Sequence, residues 1–173
     1  NSTGERELAL ELEGLRAVSM AKDSLPFEIP ALVGQTRDLD GAKAVLLSLL
    51  GGESPDLSRY TPGKFSQSIA ATLAAIHSID PNFVKDAGLV EYQSSDAVHQ
   101  RVAEVDAIAA TGRVAPQLLS RWEQALEDVA LFRFHPVVTH GAINQDSLVV
   151  SNQEVVGVSG WNSLSITDPA EDL

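Results

Sequence analysis

The chain has 173 residues, 24 acidic against 12 basic side chains, a net charge of −12 and 44% hydrophobic content. That is enough for one good core or a small two-lobed body, and it excludes a disordered tail. The acidity excludes a nucleic-acid or anionic-membrane surface, which needs clustered Lys and Arg; it favours solubility and would also attract a cationic small molecule.

The absence of cysteine removes disulfides, thiolate zinc sites and cysteine nucleophiles. The four histidines, at 77, 99, 135 and 140, share no metal-ligand spacing within one element. No apolar run approaches the roughly 20 residues that span a bilayer, and no basic-then-apolar signal segment opens the chain, so the expectation is a cytoplasmic protein.

Ser2 followed by Glu5 is a capping-box pattern, and Leu8, Leu12 and Leu15 recur at helical spacing, predicting an amphipathic helix from Ser2 to about Ala21. Glu7, Glu11 and Glu13 read as its solvated face. Phe27 to Gly34 looks like the entry to a strand. Ala44 to Leu50, bounded by Asp40-Gly41 and Gly51-Gly52, reads as a buried strand.

The Gly/Pro/Ser-rich stretch from Gly51 to Gly63 marks a boundary between lobes. Phe65, Ile69, Leu73 and Ile76 then predict a helix that stops near His77 to Pro81, with His77 in a packing or capping role. The signal from Asn82 to Tyr92 is weak. Ser95-Asp96 caps a further helix with Val98, Val102, Val105 and Ala109 on its inner face, stopped by Thr111-Gly112. Pro116 opens another, with Leu119, Trp122, Leu126 and Val129 inward. Trp122 reads as a core anchor.

The most informative stretch is Val137 to Leu173. It opens with a short apolar run, Val137-Val138, followed by a polar loop from His140 to Asp146. Two alternating runs, Leu148 to Val150 and Val155 to Val158, then flank Ser151-Asn152-Gln153, which predicts a β-hairpin behind a functional loop.

These residues resemble the aminoglycoside phosphotransferase and choline kinase family, a branch of the protein-kinase-like fold. In that family a strand ends in H-G-D-[LI]-[HN]-x-x-N, a hairpin follows, and [IV]-D-[WF] and G-D-P-x-x-D-L come after it. His140-Gly141, Ile143-Asn144, the hairpin, Trp161 and the run Asp168 to Leu173 match. Three positions depart: the family's catalytic Asp is Ala142, its metal-binding Asn is Ser147 and its metal-binding Asp is Gly160.

The resemblance implies an α+β, protein-kinase-like architecture. Residues 1–50 would be a remnant of the small lobe, and 51–173 a mainly helical large lobe that in the family continues further and carries the active-site loop on its hairpin. It implies that Ser48 and Leu50 belong to the hinge that meets an adenine ring. It also makes α-helical Glu11 the partner of a nucleotide-anchoring lysine, which would precede residue 1. Asp168 would cap the following helix.

Ala142 and Gly160 bring no side-chain oxygen and Ser147 brings a neutral hydroxyl, whereas Mg²⁺ needs a hard anionic ligand from the protein. The first expectation is therefore a pseudokinase with no metal site and no assured cofactor, serving an unidentified protein partner. A rival is a divergent ATP- and Mg²⁺-dependent kinase of a small hydroxylated, cationic molecule, with His140, Asn144 and Asp146 as catalytic candidates and Ser147 beside the nucleotide. A third is a helical interaction module with no nucleotide cleft.

Overall fold

The computed structural model describes residues 2–39, 42–56, 60 and 63–173, and only the backbone of 2, 3, 35–39, 42 and 129. Five α-helices run in chain order among these residues: α1 (Ser2–Ser19), α2 (Lys64–His77), α3 (Pro81–Asp86), α4 (Ser94–Ala110) and α5 (Pro116–Glu127). Six strands form three antiparallel pairs. β1 (Leu32–Leu39) joins β2 (Ala42–Leu47), β3 (Val137–Thr139) joins β6 (Ser165–Thr167), and β4 (Leu148–Ser151) joins β5 (Glu154–Val158). The class is α+β, as the resemblance implied.

The core lies where α1, α2 and α3 meet the strands of the 137–167 region. Leu15 and Val18 of α1, Ile76 of α2 and Val84 of α3 are buried together with Val138, Val150, Val158 and Ile166. The period of three to four along α1 and of two along β4 and β5 supplies these inward positions. The hairpin turns at Asn152 and Gln153, whose φ values of 52° and 65° are those of a primed turn matched to the strand twist.

Trp161 is wholly buried and its indole N–H donates to the Val158 carbonyl at 3.1 Å, which fixes the short 3₁₀ turn Trp161–Ser163. Against this turn α1 lies at its closest: a methyl group at Gly14 would stand 2.1 Å from the Trp161 carbonyl oxygen. Only a residue without a side chain permits that approach.

Elsewhere the sequence expectations need adjustment. The expected buried run Ala44 to Leu50 is interior only in part: Leu50 is buried and Leu47 packs on the core, whereas Leu46 is 62% and Leu49 96% exposed, as is Val33 at 62%, because β1 and β2 form a two-stranded ribbon with nothing packed over those residues among the described ones. The Asp40-Gly41 signal lies outside the described residues. Helices α4 and α5 form as expected but hold no buried residue, and Val102 of the expected inner face is 39% exposed. The Val129 side chain lies outside the described set. The cap of α4 sits slightly earlier than Ser95: Asp96 accepts from the Gln93 backbone N–H at 2.8 Å. Residues 81–86, where the sequence signal is weak, form α3, capped by Asp80 accepting from Asn82 N–H at 2.9 Å. No helix among the described residues is long and apolar enough to cross a membrane.

Candidate functional site

The loop from His140 to Ser147 leaves β3 and enters β4, and a buried carboxylate fixes its first turn. Asp172, whose side chain is fully enclosed, accepts from the backbone N–H groups of His140 at 3.0 Å and Gly141 at 2.7 Å. The His77 Nε2 at the end of α2 lies 3.0 Å from the same carboxylate. One carboxylate thus binds α2, the loop and the 3₁₀ turn Pro169–Asp172. That turn is itself capped by Asp168, which accepts from Ala170 N–H at 2.9 Å. Gly141 has φ +76°, and a methyl group there would meet the Ser163 carbonyl oxygen at 2.6 Å, so glycine is required on both counts.

The His140 ring is buried and both of its nitrogens are occupied. A carbonyl can only accept, so the 3.0 Å contact with Ser159 O puts the proton on Nε2; Nδ1 then accepts from Ala142 N–H at 3.3 Å. The ring tilts against Trp161 with centroids 4.6 Å apart. Burial outweighs the hydrogen bond to Ser159 and holds the imidazole pKa below its ordinary value.

Acid therefore weakens the fold through this ring. An unfolded histidine takes up a proton near pH 6.5 and the folded one resists it, so this contribution is complete above about pH 6.5 and is lost as pH falls below that value. The expected slope is at most about 1.4 kcal/mol per pH unit. Chemical denaturation of the wild type and of His140→Phe from pH 8 to pH 5 checks this: the wild type should lose more stability than the variant below pH 6.5.

Ser147 and Asn144 close the loop on itself. Asn144 N–H donates to Ser147 Oγ at 2.9 Å, and Ser147 Oγ–H donates to the Asn144 carbonyl at the same distance. The Asn144 side-chain oxygen accepts from Asp146 N–H at 2.7 Å and Ser147 N–H at 3.2 Å, while its amide donates to Ala142 O at 3.1 Å. Asp146 is exposed, the one carboxylate in the loop.

Gly160 faces this loop across the sheet. It is left-handed (φ 80°, ψ 52°), and a Cβ built on it would lie 3.9 Å from Ser147 Cβ. Ser159 N–H donates to Ser147 O at 2.8 Å, locking the two segments together. The positions that in the resembled family carry the metal ligands are therefore adjacent.

Ser48 and Leu50 lie elsewhere. They line a cavity of about 640 Å³ with Phe27, Ile29 and Val156, and neither His140, Asn144, Asp146 nor Ser147 borders it. Ser48 Oγ accepts from Ala31 N–H at 2.8 Å, and Leu50 packs over Gly157. Glu11 sits half-buried on α1. Two positions escaped the sequence reading, Gly14 and Asp172. Gly14 left a visible trace as an isolated glycine in a helical pattern, which often marks close packing. Asp172 lay within a recognised motif, but its partners are about 30 residues and 95 residues away in the chain.

A strand, a buried histidine loop, a hairpin and an enclosed tryptophan turn, held to a helix on each side, define a protein of the kinase-like phosphotransferase class. The chain belongs to the Phosphotransferase enzyme family (APH), whose family model matches residues 2–173. Among solved structures it is similar to a macrolide 2'-phosphotransferase type I, with 24% identity, a TM-score of 0.71, and coverage of 94% of this chain and 56% of that one. The macrolide 2'-phosphotransferase MphH from Brachybacterium faecium gives 22% identity and TM-score 0.71 over 96% and 57% of the two chains. The GDP complex of aminoglycoside 2'-phosphotransferase-IIIa gives 16% and 0.76 over 96% and 60%. The chain thus spans less than two thirds of the length of these relatives, and at such identities the likeness speaks for the fold. A search of curated protein sequences gave no match.

Proposed function

We propose that this chain is a pseudokinase of the phosphotransferase family: a retained scaffold whose loop no longer carries the groups for phosphoryl transfer. The observation that carries this reading is the closed hydrogen-bond circuit of Ser147. Its hydroxyl both accepts from and donates to the Asn144 backbone, so the one side-chain oxygen that Ser147 offers is committed to holding the loop.

The residues present do not fit Mg²⁺. The ion wants carboxylates or several hard oxygens in near-octahedral array. Gly160 supplies no side chain, Ala142 supplies no oxygen, and Asn144 is spent on three loop contacts. A missing positioned base alone costs about 10² to 10⁴ in rate, before any loss of metal. The divergent-kinase alternative would have to rest on Asp146 alone. His140 in this reading is a positioning residue, because its ring nitrogens face Ser159 and Ala142.

Restoration tests the reading. The triple variant Ala142→Asp, Ser147→Asn, Gly160→Asp should acquire Mg²⁺-dependent stabilisation by ADP in thermal melts, and the parent chain should show none. Gly160 already holds the left-handed backbone that Asp tolerates better than most residues, with open space toward Ser147. If the parent chain itself phosphorylates a hydroxylated aminoglycoside or macrolide at ordinary turnover, the reading is wrong.

A further inference from the structure

The histidine loop holds one peptide group between two fixed points. Gly141 N–H is pinned on Asp172 at 2.7 Å, and the Ala142 carbonyl accepts from the Asn144 side-chain amide at 3.1 Å. The peptide between them makes a single hydrogen bond, from Ala142 N–H to His140 Nδ1 at 3.3 Å; its other pole, the Gly141 carbonyl, has no hydrogen-bond partner among the described residues. Gly141 is exposed and Ala142 half-buried, so the peptide has room to turn. Turning it alters ψ of residue 141, where glycine has the widest freedom.

The ring across that bond cannot turn with it. Nε2–H donates to Ser159 O at 3.0 Å, and the ring lies against the wholly buried Trp161. A proton arriving at the neutral imidazole therefore lands on Nδ1, which changes from acceptor to donor. It then confronts Ala142 N–H, donor against donor, on a fully buried side chain, where an unpaired donor is costly. Exchanging the two poles of the peptide removes the conflict, because the Gly141 carbonyl then stands where the N–H stood.

We propose that His140 and the Gly141–Ala142 peptide form an acid-operated latch: with the ring neutral, Ala142 N–H donates to Nδ1, and with the ring protonated the peptide turns over so that Nδ1–H donates to the Gly141 carbonyl. The outward side of the loop then changes from acceptor to donor, Ala142 N–H replacing Gly141 O. Neither nucleotide nor metal takes part, so the latch stands apart from the pseudokinase reading.

Charge reaches the ring from one side. Asp172 of the 169–172 turn accepts from His140 N–H and draws the proton in; His77 of α2 lies on the same carboxylate and, when protonated, competes for it. The other neighbours carry no charge: Thr139 of β3, Ser159 beyond β5, Trp161, and Gly14 where α1 meets that tryptophan. Burial works against the proton, so the latch moves at a pH below the ordinary 6.5 of a histidine.

Nuclear magnetic resonance of the ¹⁵N,¹³C-labelled chain, titrated from pH 8 to pH 5, tests it. At pH 8 the ring proton should sit on Nε2. As Nδ1 takes up its proton, the Ala142 amide and the Gly141 carbonyl carbon should shift with the same midpoint, while the Val138, Val158 and Trp161 signals keep their native positions. Asp172→Asn should lower that midpoint by at least about half a pH unit, about threefold in proton affinity, because it removes the charge that draws the proton in. His77→Gln, which keeps the carboxylate, should not lower it. The wild-type titration decides alone if Asp172→Asn does not fold. A ring proton on Nδ1 at pH 8, an Ala142 amide indifferent to ring protonation, simultaneous loss of all native signals with no earlier local step, or a midpoint unmoved in folded Asp172→Asn would each overturn the proposal.

Discussion

Asp172→Ala is expected to lower the unfolding free energy by about 3 kcal/mol, the largest loss of any single polar truncation at the site. The carboxylate accepts from two backbone N–H groups of the histidine loop and lies against His77, with its side chain wholly out of water. Removing it leaves those donors without a partner, at roughly 1–3 kcal/mol each for a buried group. Partial entry of water along the His77 edge, where that side chain is 21% exposed, moderates the sum. For a chain of this size the loss corresponds to a fall in melting temperature of about 6–12 °C. Asp172→Asn should lose less, because one oxygen can still accept from Gly141 while its amide faces His140 N–H. Equal melting temperatures for wild type and Asp172→Ala would mean that the loop does not depend on this anchor.

Gly14→Ala is expected to destabilise by about 2–3 kcal/mol, against the ordinary trend for glycine in a helix. Alanine gains about 1 kcal/mol over glycine in helix interiors. At Gly14 the added methyl would stand 2.1 Å from the Trp161 carbonyl oxygen and 3.0 Å from its Cβ, so α1 must be pushed off the buried turn. Overpacking of that kind costs about 1–3 kcal/mol and more where backbone blocks the movement. Gly4 provides an internal control in the same helix, with nothing within 4 Å of the added carbon. Gly4→Ala should be neutral or stabilise by up to about 0.5 kcal/mol. Urea unfolding of both variants beside the wild type reads the contrast directly, and a destabilised Gly4→Ala with an unaffected Gly14→Ala would reverse the packing account.

The histidine loop and hairpin were legible because their signals are local. His140-Gly141, the Leu148 to Val150 and Val155 to Val158 alternation, and the turn residues between them lie within a short stretch of chain. The helices were legible for the same reason, from spacing in α1 and α2 and from Pro116 at the start of α5. What escaped the reading depends on long-range contacts. The union of His77 with Asp172 and the pairing of β3 with β6 require two distant segments to meet, and periodicity does not record such meetings. The exposure of Leu46 and Val102 escaped for a related reason: an apolar stripe announces that a helix or strand has an inner face, but not what covers it. Ser147 shows a different limit. Its side-chain type was plain, yet only the geometry reveals that the hydroxyl is already bound to Asn144.

Thermal melts with ATP, run once with excess Mg²⁺ and once with EDTA, probe most directly whether a loop whose hydroxyl is taken and whose facing residue is a glycine has given up divalent-ion chemistry. The expected result is the same melting temperature in both conditions, whether or not the nucleotide itself binds. A rise of several degrees that appears only with Mg²⁺ would contradict it.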